Sequence, residues 1–505
     1  MTSVRTFEGL LASGRADDVA IAAPNAAPLT YAGLRALVAE TIASLNELGI
    51  GRNDRVAIVL PNGPEMATAF IAIASGATSA PLNPTYRTDE FEFYMSDLNA
   101  RALVVEEGSS SPALAAAKKL GISVLTLAPD PKRGAGAFTL SGEAKGAAAL
   151  PGRAEAGDVA LILHTSGTTS RPKIVPLTQA NVAKSADNIA ATLEFTASDR
   201  GLNVMPLFHI HGLIAGLLAP LSRGGGVFCT PGFNALKFFA AMEESNPTWY
   251  TAVPTMHQAI LTRAGHNKDV IARHPLRFIR SSSSSLPPQV ITELEATFHA
   301  PVIEAYGMTE ASHQMASNPL HGVRKPGSVG IAAGPEVAIM DEDGKLLGAG
   351  EVGEIVIRGD NVTAGYENNP RANAEAFANG WFRTGDQGVI DAGGYVSLTG
   401  RLKEIINRGG EKISPREVDE ALMDHPAILQ VVTFAVPHDK LGEDVAAAVV
   451  LREGVTATEQ ELRAFLSQRI AAFKTPRKIL FLTEIPKGAT GKLQRIGLAQ
   501  KLGLC

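Results

Sequence analysis

Two stretches of this 505-residue chain collect residue types suited to handling phosphate oxygens: Thr165-Ser166-Gly167-Thr168-Thr169-Ser170-Arg171-Pro172-Lys173 and Pro486-Lys487-Gly488-Ala489-Thr490-Gly491-Lys492. The first combines backbone N–H groups freed by Gly167, the hydroxyls of Thr165, Ser166, Thr168 and Thr169, and the cations Arg171 and Lys173. These are the donors that an oxyanion-rich group needs. The second presents a lysine at the tip of a glycine turn. Neither is a Walker-type loop: the first has no Gly-Lys-Ser or Gly-Lys-Thr, and Leu493 follows Gly491-Lys492 in the second. A solvated Ser/Thr loop is the other reading of the first stretch.

The neighbouring elements have to aim these groups. Leu161-Ile162-Leu163-His164 reads as a buried strand, and Thr178 can cap a helix from Gln179 to Leu193. Upstream, strand-like runs at Arg55 to Leu60, Ala102 to Val105 and Ile122 to Leu127 alternate with helical patterns such as Met66 to Ala74, which predicts parallel sheets with covering helices. Pro131 to Gly157 reads mostly as a surface connection. A second set of α/β units spans Gly201 to Glu304, where Pro287-Pro288 open a helix with Val290, Ile291, Leu294 and Phe298 on one face. Gly327 to Leu398 is rich in short strands and Gly turns, so a small β-barrel or sheet is expected there. Ser414-Pro415-Arg416-Glu417 and Thr458-Glu459-Gln460-Glu461 are capping boxes in a compact α+β unit with strands at Val431 to Val436, Ala446 to Leu451 and Ile479 to Leu482. The fold class is therefore α/β: a large N-terminal domain (1–400) of two doubly wound α/β subdomains plus a small β-barrel, a connector at 401–403 after the Gly400 turn, and a small α+β C-terminal domain (404–505), compact enough to move as one body.

Composition narrows the function classes. A net charge of −5 gives no general attraction to nucleic acid or anionic membrane. Cys229 and Cys505 are too few for a disulfide framework or a cysteine metal site. Met1 to Asp17 lacks the pattern of a secretory signal, and the longest apolar run, Leu213 to Leu221, is far short of a membrane span. The expectation is a cytoplasmic enzyme with no nucleic-acid or membrane partner, its oligomeric state open.

With these segments in place the chain resembles the adenylate-forming superfamily, which includes acyl-CoA synthetases, firefly luciferase and the adenylation domains of peptide synthetases. Besides the two phosphate stretches, the resemblance rests on Tyr306-Gly307-Met308-Thr309-Glu310, Thr384-Gly385-Asp386, Gly400-Arg401-Leu402-Lys403-Glu404 and Arg408-Gly409-Gly410-Glu411-Lys412, in that order. It implies that a carboxylate attacks the ATP α-phosphate to give an acyl-adenylate and pyrophosphate, and that the CoA thiol then displaces AMP. It further implies that Lys492 bridges carboxylate and α-phosphate oxygens, that Thr309 donates to the α-phosphate, and that Glu310, with Thr165, meets Mg²⁺. Thr165, Ser166, Gly167, Thr168, Thr169 and Lys173 would hold the phosphates. Tyr306, Gly307, Ser283 and Ser284 would line the adenine site, and Asp386 with Arg401 would hold the ribose. Lys403 would be the hinge about which the small domain rotates between the half-reactions, and Gly409, Gly410 and Glu411 would line the pantetheine tunnel of CoA. Where many relatives have glycine this chain has Ser170 and Ile174, and Ile174 is incompatible with positive φ.

The same resemblance places the segment Trp249 to Ile260, the run after Arg280, the residues around Tyr306 to Met315, and His209 in the acid pocket. Ser281-Ser282-Ser283-Ser284-Ser285 and His313-Gln314 make that pocket rich in donors, suiting a small acid with a second polar end. The Ser-rich run, Ser312-His313-Gln314-Met315 and Asn407-Arg408-Gly409-Gly410-Glu411-Lys412 resemble those of oxalate-CoA ligases of plants and yeast, which implies that Ser282 and His313 contact oxalate, with His209 and Gln314 nearby. Malonate ligases typically carry arginine where this chain has Ala259. The alternatives are a ligase for another small or medium-chain acid, a stand-alone adenylation enzyme loading a carrier protein, and a silent nucleotide- or RNA-binding protein. The implied small-molecule partners are ATP, CoA and a small carboxylic acid, with Mg²⁺ as cofactor.

Overall fold

The computed structural model describes residues 5–144, 146–165, 172–486 and 493–504. Among them the strands form four sheets. In the first, Arg55–Val59 pairs in parallel with Thr78–Pro81 and Ala102–Glu106, and the latter with Ser123–Pro129. Parallel neighbours need long crossovers, supplied by helices Pro64–Ala74, Thr88–Asp97 and Ala113–Leu120. The expected surface connection contributes a further strand, Phe138–Ser141, antiparallel to Ser123–Pro129, because its apolar–polar alternation buries Phe138.

The phosphate stretch differs from a simple strand-to-helix loop. Val159–Thr165 joins Thr78–Pro81, then pairs antiparallel with Lys173–Thr178, so Thr165 and Lys173 stand directly opposite one another. The helix Gln179–Thr192 starts only after this second strand, with Thr178 and Asn181 forming its capping box. Ile174 lies in extended backbone paired with His164, and its side chain is buried, so no positive φ is required of it.

The second sheet carries Val19–Ala22, Gly226–Cys229, Arg200–Asn203, Trp249–Ala252, Phe278–Ser281 and Val302–Met308 in parallel, followed by antiparallel His313–Ser317 and Ile331–Ala332. The expected helix is Pro288–Phe298, and it buries Val290, Ile291, Leu294 and Phe298. Each such side chain contributes about 1.5–3 kcal/mol on leaving water. The apolar run near Leu213 winds as a buried π-helix, His211–Leu218, and no described helix is long and apolar enough to cross a membrane.

An antiparallel sheet of Glu336–Met340, Val352–Arg358, Trp381–Ile390, Phe377–Ala378 and Val396–Arg401 stands where the small barrel was expected. Gly400 is not a turn: it pairs with Gln387 inside the last strand, and Arg401 pairs with Asp386. The fourth sheet, Ile406–Arg408, Glu411–Ile413, Ile428–His438, Gly442–Leu451 and Lys478–Phe481, packs against helices Pro415–Met423 and Glu459–Ser467 around its own core of Ile406, Val418, Leu422 and Val449. It meets the rest of the chain through Gln258 Nε2 donating to the Leu429 carbonyl (3.0 Å) and Arg416 Nη2 donating to the Gly327 carbonyl (3.4 Å).

Candidate functional site

The carboxyl ends of parallel strands are where an open α/β sheet presents ligand-binding groups, and Val302–Met308 runs there into Thr309–Ala311, a single 3₁₀ turn. Tyr306 donates its hydroxyl to Asp386 Oδ2 (2.5 Å), and Arg401 Nε lies 3.2 Å from Oδ1. Asp386 is thus a buried carboxylate with both oxygens occupied, positioned by the Asp386–Arg401 register of the antiparallel sheet. Burial, reinforced by the Asp386 charge, pushes the Tyr306 phenol well above its ordinary range.

Glu310 is also buried, and burial raises its carboxyl above the usual carboxylate range. Two hydrogen bonds hold it, and a cation braces the second partner. Its carbonyl accepts from Thr363 N–H (2.7 Å), its Oε1 accepts from the Tyr366 hydroxyl (2.8 Å), and Lys173 Nζ sits 4.2 Å from the centre of the Tyr366 ring. Tyr366 therefore links the phosphate hairpin to Glu310. Its loop is tied to the hairpin by Glu367 N–H donating to the Ile174 carbonyl (3.1 Å), and Glu367 is in turn ion-paired with Arg55 (2.7 Å). Thr309 is half-buried beside Glu310. Of the expected phosphate contacts, Thr165 and Lys173 bracket the hairpin tip. Ser166, Gly167, Thr168, Thr169, Ser170 and Arg171, and Lys492 of the second stretch, lie outside the described residues.

The expected acid pocket centres on a residue whose role the sequence did not reveal. Arg280, fully buried in Phe278–Ser281, reaches the Nε2 atoms of His211 (Nη1, 3.2 Å) and His313 (Nη2, 3.1 Å), and Gln314 Oε1 (Nη2, 3.2 Å). The two imidazoles stack with centroids 5.0 Å apart. His211 Nε2 also lies 2.6 Å from Thr251 Oγ1, and its Nδ1 is 3.1 Å from Ser283 Oγ. Thr251 faces this cluster because it is the direct strand partner of Arg280. Burial pulls the Arg280 guanidinium down to about 9.

The backbone here is strained. His313 has φ 104°, and a Cβ at Gly307 would stand 1.9 Å from the His313 carbonyl oxygen, so position 307 admits only glycine. Ser282 is buried and donates to the Ala305 carbonyl (2.9 Å), while Gln314 spends its amide on Thr192 Oγ1 (3.2 Å) and the Ala333 carbonyl (3.1 Å). Ser283 has φ 77°, Ser284 is exposed, and His209 Nδ1 is 3.4 Å from the His211 amide nitrogen.

In the C-terminal unit Lys403 is exposed. Gly409 (φ 63°) and Gly410 (φ 99°) make the tight turn between Ile406–Arg408 and Glu411–Ile413, and Glu411 is exposed. Arg280, His211 and Tyr366 were missed by sequence reasoning, whereas Thr251 falls in the segment Trp249 to Ile260 that was expected to line the acid pocket. An arginine inside an apolar strand run, Phe278-Ile279-Arg280, was the available signal for the first, since lone charges are rarely fully buried. The second histidine of His209-Ile210-His211 was the signal for His211.

The chain and its fold are similar to known proteins. Residues 11–367 match the model of the AMP-binding enzyme family, and 417–492 match that of the AMP-binding enzyme C-terminal domain. The chain is 46% identical to an oxalate–CoA ligase of Arabidopsis thaliana, over 94% of this chain and 93% of that one. It is 44% identical to an oxalate–CoA ligase of Saccharomyces cerevisiae, over 86% and 84%. Its fold superposes on the crystal structure of ATP-bound MatB from Rhodopseudomonas palustris with TM-score 0.88 at 30% identity, covering 100% of this chain and 98% of that one.

Proposed function

The chain belongs to the AMP-binding enzyme family, and from that premise we propose that it is an AMP-forming acid–CoA ligase acting on oxalate. Carboxylate and ATP give an acyl-adenylate and pyrophosphate, and CoA thiol then displaces AMP to leave the thioester. The observation that carries the choice of acid is the polar cluster itself: a buried guanidinium bridging two imidazoles, with Thr251 and Ser283 beside them. Most of these groups already bond one another, but Arg280 Nε has no partner and its guanidinium has no counter-ion among the described residues, so an anionic second end is favoured there where an alkyl chain is not. The similarity to two oxalate–CoA ligases supports the same choice.

In this proposal Asp386 and Arg401 hold the ribose, Tyr306 and Gly307 with Ser283 and Ser284 border the adenine site, and Thr309 donates to the α-phosphate. Lys173, Thr165 and the residues 166–169 hold the β- and γ-phosphates, and Lys492 neutralises charge as carboxylate meets phosphate. His313, with Ser282, His209 and Gln314 around it, receives the acid. Mg²⁺ fits the donor set, because one buried carboxylate, Glu310, and the Thr165 hydroxyl leave most of its coordination to phosphate oxygens and water. Bound there, it would neutralise phosphate charge. Residues 1–400 and 404–505 would act as two bodies, with Lys403 in the 401–403 connector as hinge. Gly409 and Gly410 would let the backbone approach the narrow pantetheine arm, with Glu411 beside it.

Purified protein given ATP, Mg²⁺, CoA and a panel of acids tests this. Oxalate should drive pyrophosphate release and accumulate as oxalyl-CoA, and His313→Ala should lose most of that activity. Turnover of octanoate with none of oxalate would overturn the assignment.

A further inference from the structure

A buried cation normally has an anion beside it, since an uncompensated charge in a low-dielectric interior is strongly disfavoured. Arg280 departs from this. It is fully buried, its Nε has no hydrogen-bond partner, and no carboxylate among the described residues lies within ion-pair distance of it. Its contacts are all neutral acceptors: His211, His313 and Gln314.

Those contacts fix chemistry as well as position. A guanidinium has five N–H donors and no acceptor, so any ring nitrogen bonded to it must accept. Both imidazoles present Nε2 to Arg280, so each neutral ring carries its proton on Nδ1. For His211 that proton points at Ser283 Oγ (3.1 Å), which leaves the serine hydroxyl proton available to another acceptor. The strained His313 backbone, at φ 104°, is secured by the same guanidinium and by the adjacent, fully bonded Gln314. The planar fork bonds the two stacked rings through separate nitrogens, Nη1 to His211 and Nη2 to His313.

We infer that Arg280 is a positioning and specificity residue for the acid: it holds His211 and His313 as Nδ1–H donors and supplies the positive charge that an acid's second, anionic end would balance. The inference deepens the acid–CoA ligase proposal and rests on it. Arg280 acts through the histidines, so its removal should weaken acid binding more than the chemical step.

The test measures steady-state pyrophosphate release by wild type, Arg280→Gln and Arg280→Lys with oxalate and with propionate, alongside KM for ATP and thermal melting. Arg280→Gln should raise KM for oxalate about 10- to 100-fold, the range expected for losing charge-assisted hydrogen bonds, with a much smaller fall in kcat. The oxalate-to-propionate ratio of kcat/KM should drop by a similar factor. Arg280→Lys keeps the charge without the fork and should fall between the two, and it decides the matter if Arg280→Gln does not fold. Equal losses on both acids, or a fall in kcat with KM unmoved, would overturn the inference, as would a wild type that prefers propionate. If the wild type instead favours another short dianion, the oxalate assignment falls alone and the same ratio on that dianion decides the role of Arg280.

Discussion

Glu304 offers a stability experiment whose sign and size follow from the structure. Its side chain is buried next to the fourth sheet's helix, Oε1 accepts from Leu286 N–H (2.9 Å), and Oε2 has no partner. Burial pushes the carboxyl from its ordinary 4.5 up to about 7, with the Arg416 guanidinium pulling the other way. The difference, about 7 minus 4.5, corresponds to about 3 kcal/mol at 1.36 kcal/mol per unit. Because the folded-state value is raised, this stability is fully present below pH about 4.5 and is lost as pH rises through about 7. Glu304→Gln stays neutral throughout. Its amide can keep the bond from Leu286, but its NH₂ replaces an unpartnered oxygen, so the absolute offset between the proteins is not the test. The test is how the offset changes: the variant's melting temperature relative to wild type should climb by several degrees between pH 5 and pH 8.5. Thermal melts across that range, followed by circular dichroism, measure it. A constant offset would refute the reasoning and mean that Glu304 ionises as an ordinary carboxylate.

Further outcomes bear on the catalytic assignments. Tyr366→Phe keeps the ring beneath Lys173 but removes the hydroxyl bonded to Glu310, and should raise the Mg²⁺ concentration for half-maximal pyrophosphate release about tenfold; an unchanged Mg²⁺ titration would show that Tyr366 does not orient Glu310. Asp386→Asn weakens the acceptor that Tyr306 and Arg401 surround, and should raise KM for ATP about tenfold or more while leaving KM for the acid within about twofold in initial-rate assays. Lys492→Ala should abolish adenylate formation, followed by pyrophosphate exchange, yet convert synthetic acyl-adenylate to thioester; equal loss of both half-reactions would exclude a lysine that serves only the first.

What the sequence made legible was local. Thr178, Ser414 and Thr458 cap helices where expected because a cap needs only its own next three residues. The apolar face of Pro288–Phe298 follows from helical spacing alone. The strand Lys173–Thr178 escaped notice because Pro176 interrupts a short apolar run, and its pairing with Val159–Thr165 depends on the whole hairpin. Bringing Asp386 to Tyr306 spans 80 positions, and joining Arg280 to His211 spans 69. No periodicity reports such pairs. The first was anticipated through motif resemblance, whereas the second lay outside the motifs and follows from the helix His211–Leu218 starting beside the sheet, where His211 Nε2 meets both Thr251 and Arg280.

The most direct measurement offers the enzyme equimolar oxalate, acetate and octanoate with ATP, Mg²⁺ and CoA, and identifies the thioesters by mass spectrometry. An acid pocket built around Arg280, His211 and His313 should yield oxalyl-CoA as the dominant product, with AMP and pyrophosphate formed in equal amounts. Octanoyl-CoA as the main thioester, with oxalyl-CoA absent, would contradict it.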